Sequence, residues 1–146
     1  MIRAVIAGIK SAYTTYKAAN PTKALALVTG FYFMQAPQGA TGDYVVFRLL
    51  PGGKPDPDMS ATVEVIPVQF DIFAVDKSGR HNSTYALEVA EQLITVYDDT
   101  AIAVVSGATT LGTTYRCDRQ TKPNIEPDPD GGWHCWVDYI LQVQEV

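Results

Sequence analysis

Two hydrophobic periods run back to back between Thr62 and Tyr97. In TVEVIPVQFDIFAV the even positions Ile66, Val68, Phe70, Ile72 and Ala74 are all apolar, whereas Gln69 and Asp71 fall on odd positions. Period two marks a strand with one buried face. A polar loop, DKSGRHN, follows. The run STYALEVAEQLITVY then places Ala86, Leu87, Ala90, Leu93, Ile94 and Tyr97 three and four apart, with Glu88, Glu91, Gln92 and Thr95 elsewhere. That spacing predicts an amphipathic helix, with Ser83 as its N-cap. A strand with one apolar face and a helix with one apolar stripe cover each other, which is the core of a two-layer α+β domain.

The same reading extends outward. Ile2, Val5, Ile6, Ile9, Tyr13 and Tyr16 give residues 1–19 helical spacing, and Asn20-Pro21 ends the helix because proline cannot continue its hydrogen-bond ladder. KALALV is predicted as a short turn capped by Thr22, and FYFMQAP as a strand after Gly30. YVVFRLL, residues 44–50, is rich in β-branched and aromatic residues and reads as a strand. PGGKPDPDMSA, residues 51–61, and TKPNIEPDPDGG, residues 121–132, read as polar loops. Residues 98–107 are ambiguous, TTYRCDRQ is predicted as a strand from 113, and WHCWVDYILQVQEV alternates throughout. Residues 113–120 and 133–144 are expected to pair. The prediction is one α+β domain over residues 1–146, a mostly antiparallel sheet packed against two helices. Its order is helix, strand, strand, strand, helix, strand, strand.

Composition changes this picture little. A length of 146 residues suits one domain. A net charge of −5 argues against a basic nucleic-acid surface, and a charged fraction of only 18% leaves room for buried subunit contacts. No apolar run approaches a membrane span, and MIRAVIAGIK, broken by Arg3 and Lys10, reads as helix rather than signal peptide, so the chain is expected to be intracellular when made.

Candidate chemistry is sparse. GxGxxG, P-loop, HExxH and GxSxG motifs are absent from the sequence. Cys117 and Cys135 fit a structural thiol pair on neighbouring strands, reduced in the cytosol. His134 and Cys135 are adjacent on a strand and point to opposite faces, which disfavours a shared metal site. A nucleophile set of Cys135, His81 and Asp138 has no pattern to place its members together. Asp56, Asp58, Asp128 and Asp130 stand beside prolines, where turn-forming aspartates are the ordinary reading. No cofactor or metal is expected. Arg48, Lys77, Arg80, Arg116 and Arg119 serve either as solvated surface charge or in subunit or partner contacts, with Arg116 and Arg119 on opposite faces of their strand.

The succession of segments resembles a known family. A helical start leads to GFYFMQAPQGATGDYVVF, then VEVIPVQFDIFA, the helix ALEVAEQLITVYDD, YRCDRQ, and finally EPDPDGGWHCWVDYILQV. In this order the chain is similar to the tail terminator, or tail completion, proteins of long-tailed bacteriophages. The resemblance covers nearly the whole chain and is weakest at residues 51–61 and 98–112. It implies a hexameric ring at the head-proximal end of the tail tube, a structural virion protein assembled in the host cytoplasm. Such a ring ends tube polymerisation and offers a surface for the head connector. Its partners would be further copies of itself, the tail tube protein and the neck. It implies no membrane and no specific nucleic-acid binding, although DNA passes through the lumen. Open sheet edges and long loops are compatible with ring contacts. Under this reading the interface candidates are Arg48, Lys54, Asp56, Asp58, Arg80, Arg116, Arg119, Asp128 and Asp130, on the loops 51–61 and 121–132 and the strands beside them. A head-closure protein of the neck is the nearest rival. A small enzyme or ligand-binding module using Cys135 or the loop carboxylates is the rival from another class.

Overall fold

Alternation builds the sheet that the sequence predicts. In a computed structural model, which describes residues 1–51, 63–74, 83–129 and 131–145, β3 (Val63–Ala74) pairs along its whole length with β7 (Trp133–Glu145), antiparallel from Val63↔Gln144 to Ala74↔Trp133. On the other side of β3 lies β2 (Tyr44–Leu49), also antiparallel. The short β1 (Gly30–Phe33) pairs parallel with β2. Beyond β7 come β5 (Thr109–Arg119) and β4 (Ala103–Ser106), giving the order β1-β2-β3-β7-β5-β4, with β6 (Asn124–Pro127) pairing only the first residues of β7. The result is a seven-stranded, mostly antiparallel sheet in an α+β domain.

The helices cover one face. α2 (Ser83–Tyr97) buries Ala86, Val89, Ala90, Leu93, Val96 and Tyr97. These meet Val68, Phe70 and Ile72 of β3 and Val137, Tyr139 and Leu141 of β7 in one core. Phe70 is the centre of it, its ring 4.6 Å from Tyr97, 5.8 Å from Tyr139 and 6.0 Å from Phe47. α1 (Ile2–Ala19) is tied to α2 where the hydroxyl of Tyr97 donates to the carbonyl of Ile9 at 2.8 Å.

α1 also touches both edges of the sheet. Tyr13 stacks on Phe31 of β1 at 4.2 Å. At Gly8 the helix comes so close to β4 that a Cβ there would lie 2.7 Å from the carbonyl oxygen of Ala103 and 2.7 Å from Cγ2 of Ile102. The sheet curls, so that a single helix meets a residue on each edge strand. The edges expected to stand open are therefore flanked by a helix.

Several boundaries differ from the sequence reading, each for a local reason. β1 stops at Phe33 because Met34 takes φ 68°, outside strand geometry. The turn at Ala24–Leu27 is a 3-10 helix whose N-cap is Lys23, not Thr22, and it has no side-chain cap. Ser83 is the first residue of α2 rather than its cap, and position 82 lies outside the described residues. β5 begins at Thr109, joined to β4 through a turn at Gly107, whose φ of 61° suits glycine. The segment read as a loop from 121 to 132 contains β6, so β5 and β7 pair antiparallel as expected but are joined through a further strand.

Candidate functional site

The pleat sends every second residue of β2, β3 and β7 to the face away from the helices, and there the register brings distant charges together. Asp71 opposes Val46 and Trp136, while Arg48 opposes Gln69 and His134 opposes Phe73. Arg48 and His134 therefore reach Asp71 along the diagonals of neighbouring pairs. Nε and Nη2 of Arg48 donate to Oδ2 of Asp71 at 2.9 and 2.7 Å, and Nε2 of His134 donates to Oδ1 at 2.8 Å. The Asp71 side chain is only 2% exposed and that of Arg48 is 44% exposed. Both carboxylate oxygens are thus satisfied, as burial of a charge requires.

Aromatic rings surround this node. Tyr32, Tyr44, Phe73, His134 and Trp136 form a stripe across four strands, with Tyr44 and Phe73 stacked at 5.2 Å and Phe73 and His134 at 4.7 Å, nearly parallel at 3°. The stack fixes the imidazole plane, which aims Nε2 at Asp71 and leaves Nδ1 3.5 Å from Glu126 of β6. Beside it Gln69 donates to Asp138 at 2.9 Å.

A second node sits at the end of α2. The buried hydroxyl of Tyr139 donates to Oδ1 of Asp98 at 2.7 Å, and Nε of Arg119 lies 3.3 Å from the same oxygen. Burial first, and then the bond to Asp98, holds the Tyr139 phenol well above its ordinary range. On β5, Arg116 pairs with Asp118 two residues on, Nε to Oδ1 at 2.8 Å. As expected, Arg116 and Arg119 lie on opposite faces, but both already have partners within the chain.

The three interface arginines on described strands are therefore engaged: Arg48 with Asp71, Arg119 with Asp98, Arg116 with Asp118. Asp128 lies in the turn before β7, its carbonyl accepting from the amide of Gly131 at 3.0 Å. Lys54, Asp56, Asp58, Lys77, Arg80 and Asp130, like His81, lie outside the described residues.

The thiols are separated and inert. Cys117 faces Leu141 across β5 and β7, whereas Cys135 is six residues earlier on β7. That is about 20 Å along the strand, so they are not neighbours on paired strands. Burial, reinforced by Asp98, Asp118 and Asp99, pushes Cys117 up to about 12, and burial pushes Cys135 up to about 11. Both stay protonated at neutral pH, which is the unreactive form of a thiol. His134 points away from Cys135, as alternation requires, and among the described residues no three His, Cys, Asp or Glu side chains group as metal ligands.

The sequence reading passed over a different set of charges. Arg3, Lys10 and Lys17 are all exposed, and α1 contains no acid. Their spacing of seven puts them on one stripe of the helix, away from the face that buries Val5, Ile9 and Tyr13. Among the described residues none of them has an ion-pair partner. The repeat of seven was the available signal. No protein-family model matches the chain, and no curated protein matches it.

Proposed function

We propose that this protein is a structural subunit of a bacteriophage tail that forms a ring on the head-proximal end of the tail tube. There it ends tube growth and presents the surface that joins the head. The observation that carries this reading is the order of segments, which resembles the tail terminator family over nearly the whole chain. The α+β architecture, a curled sheet with helices on one face, agrees with what that resemblance implies. The partners of the reading are further copies of the chain in a hexameric ring, the tube protein and the head connector, with DNA passing through the lumen. Two protonated, buried thiols weigh against the rival reading of a cysteine enzyme.

The experiment is deletion of the gene in the parent phage followed by electron microscopy of tails. Tails of uncontrolled length that fail to join heads, and uniform tails on complementation, support the reading. Normal-length tails lacking heads would favour the neck protein instead, and normal phage would sink both.

A further inference from the structure

The two helices carry opposite charge. α1 holds Arg3, Lys10 and Lys17 and no acid. α2 holds Glu88 and Glu91 and no base, and both glutamates are exposed. Because the whole chain is −5 and α1 contributes three positive charges, everything outside α1 sums to −8. The cationic stripe is thus local on an acidic protein. It is also lengthy, since seven residues of helix separate each charge from the next by about 10.5 Å.

The flanks of the stripe suit contact rather than hydration alone. Ala7, Thr14 and Ala18 are exposed beside Lys10 and Lys17, and small side chains let another helix approach closely. Ile2, next to Arg3, is 45% exposed. On α2 the exposed positions around the glutamates are Thr84 and Thr95, again small.

We propose that the outer face of α1 docks on the outer face of α2 in a second copy of this chain. This assignment rests on the ring reading above and names the contact that builds the ring. Lys10 lies mid-helix and Glu88 and Glu91 lie mid-helix in α2, so crossing the two helices at the usual 8–10 Å brings Lys10 to both acids and leaves Lys17 or Arg3 for their flank. The surfaces are different patches of the same molecule, so under the ring reading the contact repeats head-to-tail until rotation closes it, whereas a reciprocal pairing of the same two faces would stop at a dimer. Charge complementarity selects a copy of the chain over a nucleic acid. Duplex DNA presents a charge about every 1.7 Å, against one cation per about 10.5 Å here, and a −5 chain repels it.

The test uses three full-length variants: Lys10→Glu with Lys17→Glu, Glu88→Lys with Glu91→Lys, and all four together. All four positions are exposed, and circular dichroism melts confirm that each variant folds. Sedimentation velocity reads self-association at low and high salt. Wild type should associate, less so in high salt, and each two-site variant should lose association by roughly tenfold or more, as like charges facing each other require. The four-site swap should regain it, which no merely structural effect of the substitutions would do. Two-site variants that keep the wild-type mass overturn the contact, as does a swap that fails to recover. So does a wild type that stays monomeric, or a labelled short duplex bound by wild type and lost with Lys10→Glu and Lys17→Glu. If the same chain still gives uniform tails in the complemented deletion phage, the capping role stands while this contact falls. Uncontrolled tails from an associating wild type would reject the role and keep the contact.

Discussion

Removing the guanidinium of Arg48 tests whether it serves the fold or an interface. Arg48→Ala deletes two charge-assisted hydrogen bonds, of 2.9 and 2.7 Å, to an aspartate that is 2% exposed. An unpaired buried charge costs about 3–5 kcal/mol, which sets the ceiling. Two features keep the loss below it. His134 still donates to Oδ1 of Asp71 at 2.8 Å. Arg48 itself is 44% exposed, so water can enter where the guanidinium was. Hydrogen bonds to charged groups contribute roughly 1.5–3 kcal/mol, and Arg48→Ala should destabilise by about that much. In an Asp71→Ala background the same change has no carboxylate to orphan and should cost only about 0–0.5 kcal/mol. Urea unfolding followed by tryptophan fluorescence measures the cycle through the shift in midpoint at constant slope. Equal costs of Arg48→Ala in the two backgrounds would refute the pairing. Unchanged stability together with lost assembly would return Arg48 to the subunit interface for which the family resemblance made it a candidate.

Phe70→Ala should cost roughly 3–5 kcal/mol, because it empties the position that Phe47, Tyr97 and Tyr139 surround, and an unaltered melting midpoint would show the core lies elsewhere. Gly8→Ala gains about 1 kcal/mol of helix propensity, yet its new methyl meets backbone oxygen of Ala103 at 2.7 Å, so overpacking of about 1–3 kcal/mol should outweigh the gain; a more stable variant would mean α1 is free to shift from β4. Alkali should destabilise the protein as its buried thiols, and above about pH 10 its buried phenols Tyr97 and Tyr139, tend to lose their protons. Cys117 and Cys135 keep their protons to about 12 and about 11 when folded, against 9.0 for the ordinary thiol, so their stabilisation is complete below pH 9 and is lost as pH rises through that window. Denaturant midpoints should fall between pH 9 and 11, and Cys117→Ala should flatten the fall; an identical slope in that variant would refute the thiol's part.

What the sequence displayed plainly were elements with enough residues to show a period. β3, with 12 residues, β7, with 13, and α2, with 15, each repeat their pattern several times. β4 and β6 have four residues each, and β6 follows Pro123 and ends on Pro127, so an alternation this short beside proline looks like loop. Their existence is decided by β5 and β7, which offer free ladder groups, and not by their own side chains. The curl of the sheet was hidden for a similar reason. It brings Phe31 and Ala103, on the two edge strands, to the same helix α1, contacts between segments that nothing local connects.

The charges divide by the same logic, and the division bears on function. A pleated sheet sets cross-strand neighbours about 5 Å apart and diagonal ones within reach of a long side chain. Charges on strands therefore tend to meet partners inside the chain once register is set. Arg48 finds Asp71 on the next strand, 23 positions away in sequence, and Arg116 finds Asp118 on its own strand. No periodicity could announce the first of these, because it depends on Val46, not Arg48, opposing Asp71. A helix whose buried face is filled has no such neighbour for its outer stripe. Charges spaced by seven along α1 are about 10.5 Å apart, too far to interact with one another, and no acid lies on the helix to answer them. Arg48, Arg116 and Arg119, which looked available for partners, are thus engaged by the fold, whereas Lys10 and Lys17 on the outer stripe of α1 have no ion-pair partner among the described residues and are free to meet another molecule.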